Sequence, residues 1–420
     1  MFKLEQKPVK YSQSLETVLN EADKFSVKTE VIDLADSLGR ALAQDIIADI
    51  DLPATDNSAM DGFCVRNTDI VRATPQEPVK LKVASGIDAG HFLKQLPPGQ
   101  CAYIATGAPL PDGADSVVKI EDVPENFHAG EVTFNKPVKI GQYIRKKGKE
   151  QKKGQTLVEK GVEISPFIIG IAAGAGLTAL EVYKKPVVGV LTSGDELVMH
   201  WDSFKPWQVR NANSIMLCNQ VFEAGGYPIN AGVARDDEEH SEKLFLQTVE
   251  KADIIVTSGG ISKGRKDPFR NLFEKLAIEP LVYGLTMKPG KPFFFGYFKN
   301  KPVFALPGNQ VSSAITFELF VRSFIRAALK TKPFKQTLIA QLATDSFNNS
   351  GRDFFQRAKL IRKDNLIQVM PMNKQESSML SSFAQTDVIY LHPMDEKHLK
   401  AGSKVKCFIL RNETDYELCK

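Results

Sequence analysis

The sequence predicts a multidomain protein that joins an α/β unit, built on a mostly parallel sheet, to separate β-rich parts. Three observations carry this. The chain has 420 residues, beyond the roughly 250–300 at which a single hydrophobic core stops growing. From Pro186 to about residue 331, apolar strand-like runs alternate with helix-like stretches, the pattern of a sheet covered on both faces. On either side of that block, short β-rich runs are separated by Pro/Gly turns.

Taken in order, Leu15, Val18, Leu19 and Ala22 recur at helical spacing, and VIDLADSLGRALA predicts a second helix ending near Asp45. Residues 49–140 read as a compact β module through VKLKVA, CAYIA, SVVKI and EVTFN. The segment 141–180 reads as helical and glycine-rich. Its charge-free part, 164–180, falls short of the ~20 residues of a spanning helix and is expected to be buried packing. In the α/β block, VVGVL leads to TSGDEL, a helix over SIMLCNQVFEAGG leads to a strand near YPINAGVA, and a helix over 237–251 leads to DIIVTSGG. A helix near 268–277 then precedes MKPGKP, and VFAL runs into PGNQ and a long helix. Ligands of such sheets sit beyond the carboxyl ends of the strands, where TSGDE, TSGG and PGN all fall. After Pro333, TLIAQLA, DFFQRAKLI, LIQVM, DVIYL and KVKCFIL predict a small antiparallel barrel or sandwich.

Composition excludes several classes. With 43% hydrophobic and 25% charged residues, and 54 basic against 50 acidic side chains, no global field attracts nucleic acid. The basic run Arg145 to Lys153 is interrupted by Glu150 and reads as a solvated loop. MFKLEQKPVK lacks a signal-peptide core. The cysteines at 64, 101, 218, 407 and 419 show no C-x-x-C spacing, which argues against a zinc site and a disulfide scaffold. A cytoplasmic protein without membrane or nucleic-acid partners is expected.

Five segments concentrate chemistry. DLPATDNSAMDGFCVR (51–66) gathers Asp56, Asn57, Ser58 and Asp61 beside Gly62, which suits either an Asx-rich turn or a surface built to present polar groups. IATGAPLPDGADSVV (104–118) adds Thr106 in a rigid turn. In LTSGDEL (191–197), Asp195 and Glu196 follow a buried strand, as a cation site or as a helix cap with an exposed Glu. In TSGGISKGRKD (257–267), Ser258, Gly259, Gly260 and Gly264 can turn backbone N–H groups on an anion or merely fit strand to helix, and Asp267 can be a structural acid at a helix start. Asp236 and Asp237 repeat the acidic theme. Lys288 and Lys291 of MKPGKP suit a tetrahedral dianion, and Asn309 of LPGNQVSS is a turn residue or a ligand contact. Arg352 and Arg357 add possible anion contacts, with Arg357 read mainly as a surface charge on a strand.

In this order, the five segments resemble the molybdopterin molybdenumtransferase family, to which the C-terminal region of gephyrin also belongs, from about residue 10 to the C-terminus. The resemblance implies an elongated, discontinuous N-terminal domain (1–48 with 141–180), an inserted β-rich domain (49–140), an α/β molybdopterin-binding domain (181–331) and a C-terminal β-barrel (332–420). It implies a homodimer with the active site between subunits, and insertion of molybdenum from molybdate into adenylylated molybdopterin with Mg²⁺-dependent release of AMP. It assigns catalysis to Asp61, Thr106, Glu150, Glu196, Asp236 and Asp267, with Glu196, Asp236 and Asp267 also holding metal. Substrate binding falls to Ser258, Gly259, Gly260, Gly264, Lys288, Lys291, Pro307, Gly308, Asn309 and Ser377. Molybdopterin adenylyltransferase and molybdoenzymes or their chaperones would be partners.

The match departs at four places: Glu150 where Asp is common, Gly284 where a basic residue often precedes K-P-G-K-P, Gln310 for the common Pro of P-G-N-P, and Asn211 where some relatives carry Asp. Two other functions compete. Adenylylation of molybdopterin needs only the α/β unit, so the additional domains argue against it. A gephyrin-like scaffold would have a long linker and a second α/β unit, which nothing in this sequence resembles.

Overall fold

The computed structural model describes the chain except for residues 1–3, 6, 85–92, 125–129, 236, 262–266, 335, 364–365, 412–416 and 419–420. It divides into two units. The first holds residues 1–43, 161–165 and 180–420, and the second holds 44–160 and 166–179.

The first unit contains a six-stranded sheet of β1 (Val187–Ser193), β2 (Tyr227–Ala234), β3 (Ile254–Ser258), β4 (Pro280–Tyr283), β5 (Phe294–Phe298) and β6 (Lys301–Leu306), in the order 2-1-3-6-5-4. The pairs β2–β1, β1–β3 and β3–β6 are parallel, while β5 joins its neighbours antiparallel. Near-continuous Val/Ile/Leu runs make such strands, because both faces are buried. On one face Val188, Val190 and Val256 pack with Leu217, Val221 and Phe304, and on the other Leu191 and Ile255 pack with Phe245, Val249 and Phe269. Residues Thr192 of β1, Ser258 of β3 and Leu306 of β6 are in register. The three loops that follow therefore leave the sheet at one level.

The long helix after PGN runs as Gln310–Thr316, a π-turn over Phe317–Val321, and Arg322–Ala328. Helix Tyr11–Lys24 buries Val18 and Ala22 in the same core. Beyond it, five strands (Thr337–Leu342, Asp353–Lys363, Leu366–Pro371, Val388–His392 and Lys404–Ile409) close into a barrel, because Asp353–Lys363 pairs with both Leu366–Pro371 and Val388–His392. The barrel is not wholly antiparallel, since Gln341–Leu342 runs parallel to Gln368–Val369.

The second unit holds a five-stranded sheet in the order Ser116–Lys119, Gly62–Val65, Gln100–Ile104, Val79–Val83, Glu131–Phe134. All four β runs expected there form strands.

Two further expectations fail. VIDLADSLGRALA is not helical: β-branched Val31 and Ile32 lie in the strand Thr29–Asp33, which pairs with Ala179–Tyr183, and a single 3-10 turn follows over Leu34–Asp36 before Gly39 turns with φ +71°. In 141–180, only Pro166–Gly174 is an α-helix, and of its residues only Ala172 is buried; Phe167 is 83% exposed. A segment apolar all round thus lies open to solvent in the single chain. Among the described residues, no helix is long and apolar enough to cross a membrane, and Cys64, Cys101, Cys218 and Cys407 are free.

At Gly62 an added Cβ would stand 2.0 Å from the Val118 carbonyl oxygen, whereas at Gly107 it would meet nothing but a left-handed backbone, φ +84°. Gly62→Ala should therefore destabilise by about 3 kcal/mol through overpacking, and Gly107→Ala by about 1 kcal/mol through strain. Calorimetric melting of the two variants checks the order.

Candidate functional site

Local backbone chemistry builds the wall of a cavity of about 650 Å³ at the carboxyl ends of β1, β3 and β6. Ser258 is 2% exposed, and its hydroxyl is fully engaged. It donates to the Pro307 carbonyl at 3.1 Å, accepts from Asn213 Nδ2 at 3.0 Å, and meets Ser313 Oγ at 3.1 Å. Asn213 Nδ2 also reaches the Gly308 carbonyl at 2.8 Å. The three loops are stitched by side chains that are themselves buried. Gly259, at φ +89°, lets the second loop come close, since a Cβ there would stand 2.8 Å from Ser193 Oγ.

Glu196 and Asp267 line this cavity, and Asp195 does not. The helix-cap reading of TSGDE fails, because the chain continues from Glu196 into the short strand Leu197–Val198, and the next helix is capped by Asn211. The Glu196 carboxylate instead folds over Gly194, where a Cβ would lie 2.5 Å from Oε1. Asp267 stands at the N-cap of helix Pro268–Lys275 but makes no capping bond, and among the described residues its buried Oδ2 has no hydrogen-bond partner. A buried carboxylate oxygen left unpaired is costly and signals a missing cation or donor. Asn211, 2% exposed, donates from Nδ2 to Thr192 Oγ1 at 2.9 Å and accepts at Oδ1 from the Ser214 amide at 3.2 Å. It is a cap, so its amide is already committed within the protein.

The donor set suits Mg²⁺. Among the described residues no three His, Cys, Asp or Glu side chains cluster as a metal cage. Two carboxylates on one wall, one with an orphaned oxygen, match an ion that takes one or two carboxylates and completes its shell with water and substrate phosphate.

A second cavity, also about 650 Å³, shares Pro292, Asn309 and Ser312 with the first and is lined by Lys288, Lys291, Arg352 and Ser377. The strand pair Lys288↔Phe354 brings the K-P-G-K turn to the start of a barrel strand, next to Arg352. The Lys288 ammonium lies 4.5 Å from the centre of the Phe354 ring, which orients it. Asn309 Nδ2 donates to Ser377 Oγ at 3.0 Å, joining the PGN loop to the loop 374–378. Among the described residues, Glu376 is the one acid beside three cations lining this cavity, a balance that favours an anion.

Arg357 is not a surface charge. It is 1% exposed, its pKa is lowered by burial, and Nη2 donates to the carbonyls of Lys374 and Glu376 at 3.0 and 3.1 Å. It shapes the loop that carries Ser377. Gly284 has φ +89° and is buried, a backbone that disfavours a basic side chain there. Gln310 opens a helix at a position where Pro is also accepted.

In the second unit, the Thr106 amide donates to Asp61 Oδ1 at 2.6 Å, so two predicted site residues meet directly. Glu150 is exposed, and its amide donates to the Leu52 carbonyl at 2.9 Å. The basic run is paired rather than merely solvated: Lys146 Nζ lies 2.7 Å from Asp56 Oδ2, and the Lys153 amide donates to Asp51 Oδ1 at 2.8 Å. Hydrogen bonds from Thr106, Lys146 and Lys153 hold the carboxyls of Asp61, Asp56 and Asp51 below the ordinary range. Asp236 and Gly264 lie outside the described residues. Asn213 was missed by the sequence reading, although an Asn inside the first helical turn after a strand-end loop was the available signal.

Comparison with known proteins gives three family matches along the chain. Family models described as the MoeA N-terminal region (domain I and II), a probable molybdopterin binding domain and the MoeA C-terminal region (domain IV) match residues 9–176, 189–327 and 340–410. The chain is 32% identical over 395 residues to a molybdopterin molybdenumtransferase of Bacillus subtilis, covering 93% of this chain and 92% of the relative. It is 32% identical over 385 residues to one of Haemophilus influenzae, covering 91% and 94%. A solved molybdopterin biosynthesis MoeA structure from Pyrococcus horikoshii superposes with a TM-score of 0.81 at 33% identity, over 97% of this chain and 100% of that one.

Because the folded pKa of Asp61 is lowered, its bond to Thr106 contributes stability above the ordinary carboxylate value of about 3.9 and loses it as pH falls through the lower folded value. The Thr106 amide shift, followed by NMR from pH 7 downward, should move with a midpoint below that of a free aspartate; a midpoint at or above it refutes the contact.

Proposed function

This chain belongs to the molybdopterin molybdenumtransferase family, and from that premise we infer how its residues divide the work of inserting molybdenum into molybdopterin. It is a transferase of molybdenum cofactor biosynthesis. The substrates we propose are molybdate and adenylylated molybdopterin, and the second product is AMP. The observation that carries the reading is the pair of adjoining cavities, one with two acids and the other with three cations, sharing the wall of Asn309 and Ser312.

Lys288, Lys291 and Arg352 hold molybdate by charge-assisted hydrogen bonds. The phosphates lie at the strand ends, where Gly259, Gly260, Pro307 and Gly308 let the ligand approach the backbone. Glu196 and Asp267, and by the family resemblance Asp236, would hold Mg²⁺, which would supply neutralisation of charge on the phosphates. Water supplies the oxygen that ends on the AMP phosphate, and the carboxylates orient it. Ser377 and Asn309 keep the two cavities aligned. Positioning and charge neutralisation suffice for such chemistry, without a protein nucleophile.

We further propose a cytoplasmic homodimer in which Asp61, Thr106 and Glu150 complete the site of the partner subunit. The exposed apolar helix Pro166–Gly174 supports association, since a surface of that character asks for cover. The adenylyltransferase that makes the substrate, and molybdoenzymes or their chaperones that take the product, are its functional partners.

Purified protein given adenylylated molybdopterin, Mg²⁺ and molybdate should release AMP only when molybdate is present. Glu196→Gln should lower kcat by about a hundredfold, and Lys288→Ala should raise the molybdate requirement about tenfold. Mixing the inactive variants Asp61→Asn and Glu196→Gln should restore about a quarter of wild-type activity. Half the dimers are then mixed, and each carries one intact site. No recovery after verified subunit exchange would place the site within one chain.

A further inference from the structure

Both tryptophans of the chain, Trp201 and Trp207, lie in one loop with Phe204 between them. They are 68% and 61% exposed, and Phe204 is 50% exposed. One exposed aromatic needs no explanation, but three within seven residues of one loop supply ring faces suited to recognition. The loop is not free to drift from the site. Its stems, Leu197–Val198 and Val209–Arg210, pair in parallel, the Val209 amide donates to the Glu196 carbonyl at 2.9 Å, and the Asn211 amide donates to the Val198 carbonyl at 2.8 Å. Arg235 Nη1 donates to the Leu197 carbonyl at 3.1 Å and clamps the same turn. The loop thus leaves and re-enters at the cavity wall that carries Glu196.

Arg210 links the two. It lines the cavity, and its guanidinium carbon lies 4.7 Å from the centre of the Phe204 ring. Lys205 Nζ lies 5.9 Å from the centre of the Trp207 ring. Aromatic faces with cations beside them are the equipment for holding a flat heteroaromatic ring next to a phosphate: the ring stacks on indole, phenyl or guanidinium, and the charge stays near the anion.

We propose that the loop 199–208, with Arg210, is a stacking platform for a planar fused-ring heteroaromatic group of the substrate, whose phosphates occupy the adjoining cavity. This rests on the substrate reading above. Adenylylated molybdopterin carries an adenine and a reduced pterin whose pyrimidinone ring is flat, and stacking chemistry accepts either.

Because both tryptophans sit in this loop, intrinsic tryptophan emission of the whole protein reports on it alone. Titration with 6-hydroxymethylpterin and, separately, with AMP should give saturable quenching by one of them, which identifies the ring, while molybdate alone gives none. In molybdate-dependent AMP release, the double variant Trp201→Ala/Trp207→Ala should raise KM for adenylylated molybdopterin about tenfold with kcat within about twofold, and Trp201→Phe/Trp207→Phe should recover much of the loss. Absence of quenching by both probes, or an unchanged KM in the alanine variant, overturns the platform. So does an unchanged KM with impaired delivery to a cofactor-free molybdoenzyme, which would make the loop a protein-docking surface. Quenching by a probe in wild-type protein that releases no AMP supports the platform and overturns the substrate reading instead.

Discussion

The site depends on the hydroxyl of Ser258. From a buried position at the end of a central strand it donates one hydrogen bond and accepts from two neighbours, joining the loops after β1, β3 and β6 through Asn213, Pro307 and Ser313. A buried hydroxyl with its hydrogen-bonding capacity used in full is rigid, because any rearrangement leaves a polar group unpaired. The parallel register supplies the level at which the loops emerge, and this network fixes their spacing. The glycines at 194 and 259 then allow the close approaches that bring Glu196 and the backbone of the second loop to one cavity.

Charge is separated along the cleft of the first unit. Glu196 and Asp267 stand at the strand ends beside Arg210, with one Asp267 oxygen unpaired among the described residues, and Lys288, Lys291 and Arg352 stand where the K-P-G-K turn meets the barrel. Neither half would suffice for the two substrates proposed, one bearing phosphates and the other a metal oxyanion. The barrel therefore contributes to function through position. Its strand Asp353–Lys363 holds Lys288 by backbone pairing and Phe354, and buried Arg357 supports the loop bearing Ser377.

The second unit uses a different economy. Exposed Asp61 is bonded to Thr106, and half-buried Asp51 and Asp56 are bonded to the lysine run, so this surface is ordered within the single chain. Surface ion pairs of this kind add little stability, and their consequence is preorganisation. The helix Pro166–Gly174 in the same unit has the opposite character, apolar and open in the single chain.

Much of this was legible in the sequence. The alternation of apolar runs and helices identified the α/β sheet, since a strand buried on both faces must be apolar throughout, and the turn-rich segments at the strand ends named most of the cavity-lining residues. Tertiary structure decided what periodicity leaves open. The stretch around Val31 became a strand because a partner strand at Ala179–Tyr183 was present to pair with it, and Arg357 went inward because carbonyls 17 and 19 residues away received it. Likewise, whether Asp267 caps its helix or stays unpaired, and whether Asn213 or Asn211 faces the cavity network, are questions of distances below 3.5 Å. Local sequence specifies the groups available to the site; only long-range packing specifies which of them are consumed as structure and which remain for the ligand.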